Sequence, residues 1–380
     1  MALSYRRGFW PETVYYTEEA LADPLTERVL ARLPADIPRE RLANRFDPLS
    51  GESANAAERI SKGKRRLLLT RHLGHFLEAC PGTQDHVCCN LWIVNPGEGC
   101  PMDCTYCYLQ SYLARNPTCK LYSNVADMLH EIATAARREP GRMFRVGTGE
   151  LIDSLVWDDL TDLTLELVPF FAQYSNLTLE LKSKFSFVEN LVLLKSEHRG
   201  RTVVSWSVNA GEVNEQDEAF TAPVSERIDA ACRVIEAGYR VGIHFDPLVL
   251  FEGWQDGYRD LIRYIFSRIE PKDVAWVSIS TLRYKPEMQT TMRRRFPESK
   301  IPFGEQVLAS DRKLRYVQPL RFKLMNFVWK ELQAIHSSLP IYMCMESAAA
   351  WRTIAGEPPA RRSELVEIFS RNGALRERTQ

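Results

Sequence analysis

The chain has 380 residues, with 49 Lys plus Arg against 49 Asp plus Glu and a formal net charge of zero at pH 7. A chain of this length buries a large core, and its balanced charge excludes a uniformly basic surface that grips nucleic acid nonspecifically, leaving only local basic patches. Nine cysteines, an odd number in a chain that is not small, argue against a disulfide framework and predict a cytoplasmic protein with reduced thiols.

The opening MALSYRRGFWPETVYY lacks the apolar core and cleavage site of a signal peptide. No apolar run of about 18 residues follows anywhere, so no membrane partner is expected. Residues 1–60 read as an appendage, with a short helix over 25–33 and a loop at Ser50-Gly51-Glu52-Ser53. The basic run Lys62-Gly63-Lys64-Arg65-Arg66 reads as a solvated surface, with a phosphate contact as the sharper alternative. From residue 86 the pattern alternates. Residues 86–94 (HVCCNLWIV) read as a strand, and 124–138 as a helix with Asn124 as its cap. Strands are predicted over 143–146, 177–181, 202–208, 240–245 and 274–279. Helices are predicted over 157–171, 187–194, 225–237 (stopping at Gly238) and 254–269, and one more over 322–335. Alternating strands and helices imply a parallel sheet. Six such units give an α/β fold, an incomplete (β/α)6 barrel, with functional residues at the C-terminal ends of its strands. The predicted division is an N-terminal extension over 1–85, the barrel over 86–285 and a C-terminal, substrate-side extension over 286–380.

The first predicted barrel strand runs into Cys100-Pro101-Met102-Asp103-Cys104-Thr105-Tyr106-Cys107, a C-x3-C-x2-C spacing with three thiols and no fourth. Structural zinc wants four protein ligands. A [4Fe–4S] cluster on three cysteines leaves one iron open, and this is the reading the spacing favours over zinc or packed thiols. The second strand leads into Gly147-Thr148-Gly149-Glu150, whose glycines would let the backbone approach a ligand. Lys184 follows the third strand and could pair with a carboxylate, or be solvated. Ser207 and Asn209 end the fourth, as cofactor contacts or as a satisfied polar pair. Asp246 ends the fifth, facing cofactor or substrate. His244 reads as a packed, hydrogen-bonded histidine. Tyr106 and Tyr108 flank the last cysteine, where they either pack or relay a hydrogen atom.

These features together resemble the radical S-adenosylmethionine superfamily and, within it, the spore photoproduct lyase family. The narrower likeness rests on Cys107-Tyr108-Leu109-Gln110, Val14-Tyr15-Tyr16, Ser205-Trp206-Ser207-Val208-Asn209, Ala237-Gly238-Tyr239, Glu252-Gly253-Trp254 with Gly257-Tyr258, and Arg283-Tyr284-Lys285-Pro286. The resemblance implies that Cys100, Cys104 and Cys107 hold a [4Fe–4S] cluster. It implies that the Gly147 to Glu150 segment, Lys184 and Ser207 contact S-adenosylmethionine, and that Tyr106 and Tyr108 lie on a hydrogen-return path. The reaction implied is formation of a 5′-deoxyadenosyl radical, hydrogen abstraction and carbon–carbon cleavage of a thymine dimer in DNA, with a flavodoxin or ferredoxin as electron donor. Arg312, Arg315 and Tyr316 fall where the family places a lesion-side hairpin, and Arg283 and the Arg293-Arg294-Arg295 run add basic character.

One departure stands out. The family's hydrogen-donor cysteine after the second strand is missing, and Gly147 stands in its place. Cys344 is a substitute if the C-terminal segment closes the barrel mouth, and otherwise a small buried hydrophobe. The alternatives that remain are the same cofactor chemistry on a nucleoside, peptide or other metabolite, and a noncatalytic iron–sulfur or zinc protein.

Overall fold

The computed structural model describes residues 10–43, 48–49, 55–83 and 86–356; the loop expected at 50–53 lies outside them. Its centre is an eight-stranded sheet. Seven strands are parallel: Leu91–Val94 (β1), Phe144–Gly147 (β2), Leu177–Ser183 (β3), Thr202–Ser207 (β4), Arg240–Leu248 (β5), Val274–Thr281 (β6) and Ile341–Met343 (β7). The strand Leu77–Ala79 adds antiparallel to β1 at the far edge. The strands are buried on both faces, as a sheet covered by crossover helices requires. All eight residues of β6, for example, are buried.

Six βα units were legible, and the seventh strand was not. The chain leaves β6, makes a three-stranded antiparallel sheet from Arg283–Tyr284, Gln306–Leu308 and Leu314–Tyr316, and runs through the helix Gln318–Ile335. It then returns to pair Ile341, Tyr342 and Met343 with β6. Residues after 286 therefore add a strand to the barrel sheet.

The predicted first strand is broken. His86–Val87 pairs antiparallel with Glu346–Ser347, Asn90 takes a left-handed φ of 55°, and only Leu91–Val94 joins the barrel. The predicted helix 157–171 is also two pieces, Asp158–Thr161 and Leu163–Ala172, hinged at Asp162 with φ 50°. Asn124 stands at the N-cap as expected but makes no side-chain capping bond: its amide accepts from His72 N (2.8 Å) and donates to His72 O (3.1 Å) and Asp127 (2.8 Å), tying the loop at His72 to the helix. Gly238 does stop its helix, with φ 97°.

The N-terminal segment builds a sheet with the chain around the cysteine loop. Thr13–Thr17, Arg39–Leu42 and Arg66–Thr70 form a parallel sheet that continues through Cys119–Tyr122 to Gly97–Glu98. That sheet carries the chain on either side of the three-cysteine loop. Among the described residues no helix is long and apolar enough to cross a membrane.

Candidate functional site

The cysteine loop emerges from β1 at the C-terminal end of the barrel. Gly99 N donates to Leu151 O (2.8 Å), and Asp103–Cys104 pairs antiparallel with Glu218–Ala219. Lys64, 8 % exposed, donates to the carbonyls of Cys100 (2.9 Å) and Met102 (2.6 Å). Arg295 grips both carboxylate oxygens of Asp103 (2.9 and 2.7 Å) and Gln110 Oε1 (2.5 Å), while Gln110 donates to Thr105 O (2.7 Å). Two buried cations thus hold the loop from outside. The expectation of a solvated Lys62–Arg66 run fails at Lys64. The Arg293–Arg295 run likewise splits, since Arg295 is spent on Asp103 and Arg293 stacks over Phe303 (4.6 Å).

Burial pushes the Cys100 thiol well above its ordinary value and the Cys104 thiol up to about 12, with Cys107 adding to both shifts. Ligation of Cys100 and Cys104 would therefore release protons. Among the described residues no three His, Cys, Asp or Glu side chains gather closely enough to hold a single metal ion, so the zinc reading finds no tetrahedral donor set. A four-iron cluster makes a different demand: each cysteine takes its own iron and the sulfurs stand apart. Three thiols on one braced loop, with no fourth, fit that group.

Tyr106 and Lys184 meet beneath this loop in a network that sequence reasoning missed. Its centre is Glu218, whose side chain is wholly buried. Lys184 Nζ donates to Glu218 Oε1 (2.5 Å) and to the Tyr106 hydroxyl (2.7 Å), and Tyr106 donates to Glu218. Arg227, itself 0 % exposed, donates to Glu218 Oε2 (2.7 Å) and to Ser207 O (2.7 Å). Despite burial, the charges of Lys184 and Arg227 hold the Glu218 carboxyl well below the usual carboxylate range. Burial and Glu218 push the Tyr106 phenol well above its ordinary value. Lys184 is therefore committed to Glu218 and Tyr106 rather than waiting for a cofactor carboxylate. The lysine of the open mouth is Lys182, two residues earlier on β3, which pairs with Glu150 (2.6 Å).

The Gly147 to Glu150 turn also differs from expectation. A Cβ on Gly149 would lie 2.8 Å from Lys182 O, and one on Gly147 would lie 3.2 Å from Leu91 Cδ1. The glycines make room for the barrel's own strands and not for a ligand. Thr148 is buried and donates to Ser154 Oγ (2.8 Å). Glu150 is left at the surface of the mouth, with its carbonyl accepting from Tyr108 (2.5 Å). Tyr108, 43 % exposed, faces the site in a way that buried Tyr106 does not.

Ser207 is buried at the strand end with its carbonyl held by Arg227. Asn209 is a scaffold residue: it donates to Pro247 O (2.9 Å), accepts from Tyr258 (2.7 Å) and is 1 % exposed, so its expected cofactor contact is not available. Asp246 is half-open and lies 3.8 Å from Arg283. Below the mouth, Glu180 fills the barrel with charge. It accepts from Arg145 (2.6 Å), His244 (2.8 Å), Ser205 (2.9 Å) and Trp276 (3.1 Å), and Arg145 also donates to Tyr342 (3.1 Å). His244 is the hydrogen-bonded core histidine expected.

The basic hairpin needs the largest correction. Arg315 is 1 % exposed and locked to Asp311 (2.6 Å) and Glu346 (3.4 Å); Tyr316 is 4 % exposed and accepts from Leu250 N (3.0 Å). Neither can meet DNA. Arg312 remains exposed at the tip with φ 59°, beside the bare side chains of Val307 and Leu308. No spacing rule marks Arg315 as buried: its partner Glu346 is 31 positions away.

A family model described as spore photoproduct lyase matches residues 9–347. The spore photoproduct lyase of Bacillus subtilis (strain 168) is 26% identical over 305 residues, covering 78% of this chain and 86% of that protein. The spore photoproduct lyase of Geobacillus sp. (strain Y412MC61) is 24% identical over 333 residues, covering 86% and 93%. Among solved structures, a spore photoproduct lyase mutant with bound AdoMet and dinucleoside spore photoproduct superposes with a TM-score of 0.77 at 21% identity, covering 88% of this chain and 99% of that one. Another, complexed with dinucleoside spore photoproduct, gives 0.78 at the same identity and coverage. These superpositions show the fold.

Proposed function

The chain belongs to the spore photoproduct lyase family, and on that premise we propose that it is a radical S-adenosylmethionine lyase that splits a thymine dimer in DNA. The observation that carries this reading is the three-cysteine loop at the C-terminal end of a half-barrel, with no fourth ligand and braced by Lys64 and Arg295. Cys100, Cys104 and Cys107 would hold a [4Fe–4S] cluster. Glu150, Lys182, Ser207 and Asp246 would hold S-adenosylmethionine, with Gly147, Thr148 and Gly149 shaping the wall. When bound, these groups supply a 5′-deoxyadenosyl radical that takes a hydrogen atom from carbon.

The chain's own residues do the rest. The Glu218 network fixes Tyr106 and the floor of the loop, and the covered barrel keeps water from a reactive intermediate. Tyr108 reaches across the mouth to the Glu150 carbonyl. Arg283 and Arg312 are the remaining candidates for DNA phosphates. A flavodoxin- or ferredoxin-class protein would deliver the electron, in the reducing cytoplasm that a cluster enzyme needs.

The test is an anaerobic assay of the iron-reconstituted protein with S-adenosylmethionine, a reductant and dinucleoside spore photoproduct. Release of the repaired thymine dinucleotide is expected. Deoxyadenosine without repaired product would overturn the substrate assignment. It would favour a nucleoside, peptide or other metabolite, the reading that Gly147 in place of a cysteine supports.

A further inference from the structure

The repair reaction ends with a carbon radical that needs a hydrogen atom, and β2 ends without a thiol to give one. A thiol does stand at the end of another strand. Cys344 directly follows β7, the strand that sequence reasoning did not find, and Cys344 N donates to Ile279 O (3.0 Å) on β6. It therefore occupies the C-terminal end of a barrel strand, where functional groups of such barrels are carried.

Cys344 has a partner. The short antiparallel ladder pairs Val87 with Glu346 and His86 with Ser347. Cys344 and Met345, the latter with a left-handed φ of 52°, turn the chain from β7 into that ladder, and Cys89 follows two residues after its other strand. The side chains meet: Cys344 donates its S–H to the Cys89 sulfur, which Arg145 also favours as thiolate, so the Cys89 thiol is lowered and the Cys344 thiol raised. The charged groups around the pair are Arg145 and Glu180 on the barrel side and Asp246 and Arg283 on the mouth side, with Lys313 beyond. The pair thus lies between the buried Glu180 network and the open site.

We propose that Cys344 and Cys89 form the hydrogen-donor pair of this enzyme, with Cys344 as the donor and Cys89 as the sulfur beside it. This rests on the lyase reading above. In the step, the Cys344 S–H bond breaks homolytically and a C–H bond forms on the substrate radical. Cys89, having lost its proton to water, shares the electron deficit of the Cys344 thiyl in a sulfur–sulfur radical anion. One electron from a ferredoxin- or flavodoxin-class donor and two protons from water restore both thiols. Cys344 thereby supplies what the missing thiol after β2 cannot.

Two measurements decide it. The first is a disulfide map of the full chain after mild diamide oxidation, with and without Cys89→Ser. A Cys89–Cys344 peptide, absent from the variant, is expected; pairing of either thiol elsewhere, or no link, overturns the pair. The second is repair of dinucleoside spore photoproduct in D2O by the reconstituted enzyme, read by mass spectrometry. Wild type and the remote Cys232→Ala control should place solvent deuterium in the product. Cys344→Ala should lose that label and accumulate products of an unquenched radical, and Cys89→Ala should shift partway. Identical labelling in Cys344→Ala would overturn the donor role while leaving the lyase reading standing. A wild type that makes no repaired product at all would instead sink the lyase reading and, with it, this step, whatever the disulfide map shows.

Discussion

Replacing Glu218 by Gln is the sharpest test of the network under the cysteine loop. The substitution keeps the volume and removes one charge. Lys184 and Arg227, held at 2.5 and 2.7 Å, would then face no anion in a site where the Glu218 side chain is wholly buried. Breaking a buried ion pair by removing one partner costs about 3–5 kcal/mol. For a chain of 380 residues, an unfolding entropy of about 2.1 cal/mol/K per residue gives roughly 0.8 kcal/mol/K, so the melting temperature should fall by about 4–6 °C. The pH dependence sharpens the test. The folded Glu218 pKa is depressed, so its stabilisation is present above the unfolded value near 4.3 and is lost as pH falls through the folded one. The gap between wild type and Glu218→Gln should be full at pH 7 and narrow steadily below about pH 4. Differential scanning calorimetry at a series of pH values measures both. Equal melting temperatures at pH 7, or a gap that widens in acid, would refute the reasoning.

Four further outcomes are expected. Lys64→Met removes the ammonium that donates to the Cys100 and Met102 carbonyls, so a reconstituted cluster should lose iron to a chelator faster than wild type, and Lys64→Arg should lie between them. Arg312→Ala should make the log–log salt dependence of duplex binding shallower by about 0.9 if this side chain neutralises one phosphate, without changing the melting temperature. Arg315→Ala should instead destabilise the fold by about 3–5 kcal/mol, because Asp311 loses its buried partner and Glu346 keeps only Arg321, at 3.7 Å. Asp158, whose carboxyl burial raises to about 6, keeps a proton that the unfolded chain releases. Stability should therefore fall as pH rises from about 4 to 6, and chemical denaturation of Asp158→Asn should show that slope removed.

The barrel strands were legible because each is a run of β-branched and apolar residues between helical stretches; TVVSWS and VAWVSIS allow little else. β7 was not, since Ile341-Tyr342-Met343 is only three residues long and follows an irregular segment, and only its pairing to β6 makes it a strand. The cysteine triad was legible from spacing alone. The residues that brace it were hidden by their type. Lys64 and Arg295 look like surface charge in one dimension, and only tertiary contacts with Cys100, Met102 and Asp103 turn them inward. The same blindness ran the other way at Arg315, Tyr316 and Asn209, which read as ligand-facing and are consumed inside the fold. Lys184 and Lys182 show how fine the margin is: one lies just beyond the end of β3 and the other near it, and only neighbouring Glu218 and Glu150 divide their roles.

The ladder between His86–Val87 and Glu346–Ser347 has a consequence for biosynthesis. Thr83 touches Met345 across 262 positions, and Asp103 meets Arg295 across 192. A ribosome delivers the cysteine loop long before the residues that lock it, and contacts this distant form late. The nascent barrel should therefore pass through a stage with the loop made and the mouth still open. For the cluster proposed above, that stage would be the window in which iron and sulfide reach Cys100, Cys104 and Cys107.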